Sequence, residues 1–108
     1  MRKLYVVKHQ HDFDRIITKN NFIKSNYFVI YQENNDLKYD CFGISVGKKL
    51  GNAVYRNKMK RRIRNIIDIY RKDYNNQKNY IIILRNKGKD IDFNELKEDL
   101  INLLLKIN

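Results

Sequence analysis

The chain has 108 residues, 43% hydrophobic and 12% aromatic, with 23 Lys and Arg against 12 Asp and Glu, a formal net charge of +11. That length fits one domain with one modest core, and the apolar content excludes a disordered polybasic tail. The charge favours polyanion partners, chiefly nucleic acid or an acidic membrane surface.

The N-terminal MRKLYVVKHQ has only Leu4 to Val7 as an apolar run, too short for a secretory signal, and no stretch approaches a membrane span. Next, HDFDRIIT sets Phe13, Ile16 and Ile17 at helical spacing, with Asp12 as the expected N-cap. NNFIKSN is turn-like at both ends. Tyr27 to Tyr31, YFVIY, is β-branched and aromatic and predicts a strand, with Tyr27, Val29 and Tyr31 on one face and Phe28 and Ile30 on the other. ENNDLK, Glu33 to Lys38, is the most turn-like stretch. In YDCFGISV, Phe42, Ile44 and Val46 alternate with Cys41, Gly43 and Ser45, predicting a half-buried strand antiparallel to the first.

From Asn52, a potential cap, the period changes. Tyr55, Met59, Ile63, Ile66, Ile67 and Tyr70 form one apolar stripe of a helix. YIIIL, Tyr80 to Leu84, is a short unbroken apolar run and predicts a buried strand. Asp92 with Glu95 suggests a capping box opening a final helix, striped by Phe93, Leu96, Leu100, Leu103, Leu104 and Ile107. The residues alone thus predict α-β-β-α-β-α, one sheet with helices packed on it. The unit from Tyr39 to Leu84 pairs its strands in parallel, and general rules make such a crossover right-handed. Proline is absent and there are four glycines, so no linker or second domain is expected. One cysteine, Cys41, allows no internal disulfide and fits a reducing compartment, so a soluble cytoplasmic protein is expected.

The charge is concentrated. In KKLGNAVYRNKMKRRIR, residues 48 to 64, eight of seventeen positions are Lys or Arg and none is acidic. At about 100° per residue, Arg56, Asn57, Lys60, Arg61 and Arg64 fall on one arc of roughly 140°, beside the apolar stripe. Like charges at i, i+4 and i+8 repel, a cost that a bound polyanion relieves. Gly47 and Gly51 bracket Lys48 and Lys49, where glycine would allow close approach of backbone to phosphate, just ahead of a helix N-terminus. The GxxxxGK[ST] order is absent, so a long polyanion is expected rather than a nucleotide. Tyr27, Tyr31 and Tyr39 are aromatics near this loop, suited to stacking single-stranded RNA beside a basic groove.

GKKLGNAVYRNKMKRRIR closely resembles the Arg-Asn-Arg signature region of the protein subunit of bacterial ribonuclease P. The likeness extends through HDFDRII, FVIY, GISVGKKLGNAV, NYIIILR and the closing helix. It implies a single domain over residues 1–108, a compact α-β sandwich of class α+β. Its sheet is mixed and four-stranded, its order α-β-β-β-α-β-α, and its crossover left-handed. One strand is then missing from the reading above, with Lys38 to Cys41 or the segment near Gln32 as its place. The resemblance further implies that the RNA subunit, with the Mg²⁺ it requires, hydrolyses precursor tRNA to remove the 5′ leader. The protein binds that RNA and the leader, and no cofactor is assigned to it. Matched position by position, Lys48, Arg56, Asn57, Lys58, Lys60, Arg61 and Arg64 would contact the catalytic RNA. Phe13, Ile17, Val29, Tyr31, Ser45 and Lys49 would form the leader-binding cleft. Three positions depart from the pattern. Lys58 replaces Arg and loses bidentate phosphate geometry. Ile17 stands where an aromatic is common. Gly47 often corresponds to Ser.

No catalytic constellation appears. His9 and His11, the only histidines, lie two residues apart and do not form an acid–base pair across a phosphate. Asp12 and Asp14 lack further carboxylates for a metal, and Cys41 lacks an activating base. A ribosomal or other structural RNA-binding protein would share the charge and build, but would not need GNAVYRN with the cleft aromatics. Membrane association is disfavoured because the helix stripe is needed for the core. No protein partner is predicted.

Overall fold

The computed structural model describes residues 6, 7, 9–71 and 76–107, with Tyr70 and Arg71 described by backbone alone. The elements run α1 (Gln10–Thr18), β1 (Phe22–Lys24), β2 (Phe28–Asn34), β3 (Cys41–Val46), α2 (Ala53–Arg71), β4 (Lys78–Leu84) and α3 (Phe93–Leu105). They form one four-stranded sheet of order β1-β2-β4-β3 and three helices, an α+β fold. No helix among the described residues is long and apolar enough to cross a membrane.

The strand absent from the residue reading is Phe22–Lys24, not Lys38 to Cys41 or the segment near Gln32. Three residues between Asn and Ser carry little strand signal of their own; pairing with β2 makes them a strand. The strands predicted at Tyr27–Tyr31 and Tyr39–Val46, here β2 and β3, are not partners. β4 lies between them, antiparallel to β2 and parallel to β3. That central position suits YIIIL: β4 has no free edge, and the layers over the sheet bury Tyr80, Ile81, Ile82 and Leu84 while Ile83 stays half-buried. β2 runs on to Asn34, so Glu33 is a buried strand residue rather than part of a turn.

Alternation divides the sheet. One face presents Phe28, Ile30, Phe42, Val46, Tyr80, Ile82 and Leu84 to α2 and α3, and this is the main core. Met59, Ile63, Ile66 and Ile67 of α2 and Leu96, Leu100, Leu103 and Leu104 of α3 close it. Tyr70, the last residue of the α2 stripe, lies outside the described side chains. Asn52 caps α2, its Oδ1 accepting from Tyr55 N–H at 2.9 Å. Asp92 caps α3 through Asn94 N–H at 3.1 Å. Glu95 does not complete a capping box but accepts from the Tyr27 hydroxyl. Tyr27 precedes β2 and is held by α3, its N–H also bonding Asp99, so it does not share the face of Val29 and Tyr31. The cap of α1 is His9, without a side-chain bond, and Asp12 sits in the first turn.

Candidate nucleic-acid interface

The opposite sheet face is only partly covered. Strand register sets three transverse rows on it: Glu33–Asn79–Cys41, then Phe22–Tyr31–Ile81–Gly43, then Lys24–Val29–Ile83–Ser45. α1 is clamped over the first row. Glu33 accepts from Arg15 Nη2 at 2.6 Å, Arg15 Nε at 3.2 Å, Lys19 Nζ at 2.9 Å and Asn79 Nδ2 at 2.8 Å. Arg15 holds the Glu33 carboxyl down at about 2, with Lys19 and Asn79 adding to it and burial opposing. Ile16 is buried beneath the helix. Phe13 reaches the second row: a Cβ added at Gly43 would stand 2.6 Å from Phe13 Cζ and 2.8 Å from Ile81 Cδ1. Glycine at 43 is therefore what lets the Phe13 ring lie on the sheet.

Beyond Phe13 the face opens. Val29, Tyr31, Ile83 and Ser45 are half-buried, Ile17 is half-buried one helical turn on from Phe13, and Phe22 is exposed. The register and packing thus bring Phe13, Val29, Tyr31 and Ser45 onto one surface. The two ends of this surface differ in charge. At the α1 end Glu33 and Asp12 engage Arg15 and Lys19. At the far end stand Lys24, Arg85, Lys48 and Lys49; Arg85 donates to the Ser25 carbonyl at 2.6 Å, and the other three are exposed.

Lys48 and Lys49 lie on the 3-10 turn Lys48–Leu50, anchored by buried Leu50. The two glycines beside it differ from expectation. Gly47 has φ −65° and open space where a Cβ would be, so nothing local requires glycine and serine fits. Gly51 is extended, but a Cβ there would stand 2.7 Å from the Tyr55 ring, so close packing excludes a side chain.

On α2, Asn57, Lys58, Arg61 and Arg64 are exposed, and Arg56 and Lys60 are half-buried. The Arg56 Nε is itself buried and makes no hydrogen bond. Arg62 faces another way: its guanidinium lies 5.0 Å from the Phe93 ring centre and ties α2 to α3. The arc read from the helical period is thus a cationic strip, exposed at Asn57, Arg61 and Arg64 and half-buried at Arg56 and Lys60, while Arg62 outside it serves packing.

The histidines, aspartates and cysteine near α1 have structural partners. Asp12 pairs with Arg15 at 2.6 Å and Asp14 accepts from Gln10. His9 and His11 stack on each other, ring centres 5.5 Å apart. Burial pushes the Cys41 thiol up, with Asp40 adding to it. Asp40, also raised by burial, accepts from the Asn76 and Lys78 N–H groups and fixes the start of β4. Among the described residues, no group of three or more His, Cys, Asp or Glu could hold a metal ion. Two residues of this surface escape the sequence reading. Phe22 is hidden in a segment that is turn-like at both ends, although Phe-Ile-Lys alternates. Glu33 is hidden in a stretch dominated by Asn and Asp.

A family model described as Ribonuclease P matches residues 1–108. The ribonuclease P protein component of Mycoplasma mycoides is 40% identical over 111 residues, covering 99% of each chain. That of Streptococcus gordonii is 36% identical, covering 96% of this chain and 87% of its own. Among solved structures, the RNase P protein of Staphylococcus aureus superimposes with a TM-score of 0.87 at 37% identity, over 96% of this chain and 95% of that one. The RNase P protein of Thermotoga maritima gives 0.85 at 30% identity, over 94% and 96%. Such superposition requires the same path through β3, α2 and β4. The chain therefore has the crossover hand of those proteins, which the resemblance implies is left-handed, against the general right-handed rule. By sequence over its whole length and by fold, the chain belongs to the family of the ribonuclease P protein component, the protein part of an endoribonuclease of tRNA 5′ processing.

Proposed function

We propose that the chain acts as one cytoplasmic RNA-binding domain with two surfaces. The first is the cationic strip of α2 with the turn before it: Lys48, Arg56, Asn57, Lys58, Lys60, Arg61 and Arg64. It takes the phosphate backbone of the ribonuclease P RNA. The second is the open sheet face with Phe13, Ile17, Val29, Tyr31, Ser45 and Lys49, which takes the single-stranded 5′ leader of precursor tRNA. Mg²⁺ belongs to the RNA subunit, which supplies the hydrolysis; this chain binds and orients. The observation that carries the reading is the half-covered sheet face, with a half-buried tyrosine on it and lysines at one end. That is the build of a single-strand site: aromatic and apolar surface for bases, cations for the backbone.

The test is leader cleavage at low Mg²⁺ with the ribonuclease P RNA of the same organism, alongside protein-only and RNA-only controls. Cleavage that needs both components is expected. Full activity of either alone refutes the reading. Arg64→Ala should weaken holoenzyme assembly and lower the slope of log affinity against log salt by about 1, the loss of one phosphate contact. Arg56→Ala should act the same way.

A further inference from the structure

We infer that Phe22 is a base-stacking residue of the same cleft, an assignment that rests on the leader reading above. β1 contributes Ile23 to the main core, while Phe22, on the alternate face, stays 40% exposed. Register sets Phe22 opposite Tyr31, and the two rings lie 5.2 Å apart at 44°. Edge-tilted rings at this spacing support each other. Together they extend the second row of the open face outward, past the half-buried Tyr31 to an accessible ring. Lys24 follows on the same face of β1, about 7 Å along the strand, and is exposed. An aromatic surface with a cation one step away meets a nucleotide at both its base and its phosphate. Ile17 on α1 provides no such ring, so Phe22 and Tyr31 hold the exposed aromatic surface on the β1 side of the cleft.

The experiment uses the full chain assembled with its ribonuclease P RNA. The readout is the ratio of affinities for a leader-bearing precursor tRNA and for mature tRNA, with thermal melts of each protein variant. Phe22→Ala and Phe22→Leu should each lower the ratio about fivefold or more, the loss of one stacked base. Phe22→Tyr should keep it, and the melting temperature should stay near wild type in all three. A wild-type ratio in Phe22→Leu, or equal losses on both tRNAs in Phe22→Ala, overturns the assignment. Tyr31→Ala separates the two claims. A lowered ratio there beside an unchanged one in Phe22→Ala overturns Phe22 alone. Unchanged ratios in both variants overturn the leader reading as well.

Discussion

The two faces of the sheet are built from alternate residues of the same strands, yet they have opposite fates. Two helices cover most of one face, and Phe28, Ile30, Tyr80 and Ile82 on it are wholly buried. One nine-residue helix covers only an end of the other, and Val29, Tyr31 and Ile83 stay half-buried. Residue type scarcely distinguishes them: Ile82 and Ile83 are chain neighbours of one kind. What differs is the length and placement of the covering helices. The reach of α1 is set by the Glu33 clamp and by the room that Gly43 leaves for Phe13. A binding face here is a core face left unfinished.

The largest expected effect tests that contrast directly. Ile82→Ala should cost about 2–5 kcal/mol by denaturant unfolding, whereas Val29→Ala on the open face should cost under about 1 kcal/mol. Equal costs would show that the open face is as tightly packed as the core, and the comparison would fail. Glu33→Gln should cost about 2–3 kcal/mol at neutral pH, since it removes charged hydrogen bonds from a buried acceptor. The sign with pH follows from a carboxyl lowered from 4.5 to about 2. The stabilisation is complete above about 4.5 and fades as pH falls towards about 2. Stability curves of wild type and variant should therefore converge across that window; a constant gap would mean that the charge is not what holds α1. Smaller still, Gly43→Ala should cost about 1–2 kcal/mol and shift the Phe13 ring resonances, because the new methyl displaces the ring. Gly47→Ser, in open space, should change neither stability nor spectrum.

Much of this contrast is legible in sequence. Alternation in YDCFGISV separates Phe42 and Val46 from Gly43 and Ser45 correctly, and the α2 period separates the buried stripe from the cationic strip. The neighbours across the sheet are not legible. β2 and β3 look like a hairpin because they follow each other, but β4 is inserted between them. The clue was YIIIL, too apolar for an edge. Glu33 looks like a turn residue because Asn and Asp surround it; its partners Arg15, Lys19 and Asn79 are 14 to 46 residues away. Phe22 looks like part of a loop because its strand exists only through pairing with β2. Local signal suffices where an element buries its own stripe, and fails where a distant partner supplies the structure.

The burial of Cys41 has a practical consequence. It is the only sulfhydryl in the chain, and burial both shields it and keeps it protonated. To a thiol-directed dye or spin label the native fold is therefore nearly blank. A cysteine placed at Gly47, where a side chain meets no obstacle, would be the single reactive handle on the molecule. It would carry a reporter at the foot of the lysine turn, beside the junction of the two proposed surfaces, without any background-clearing mutation in the core.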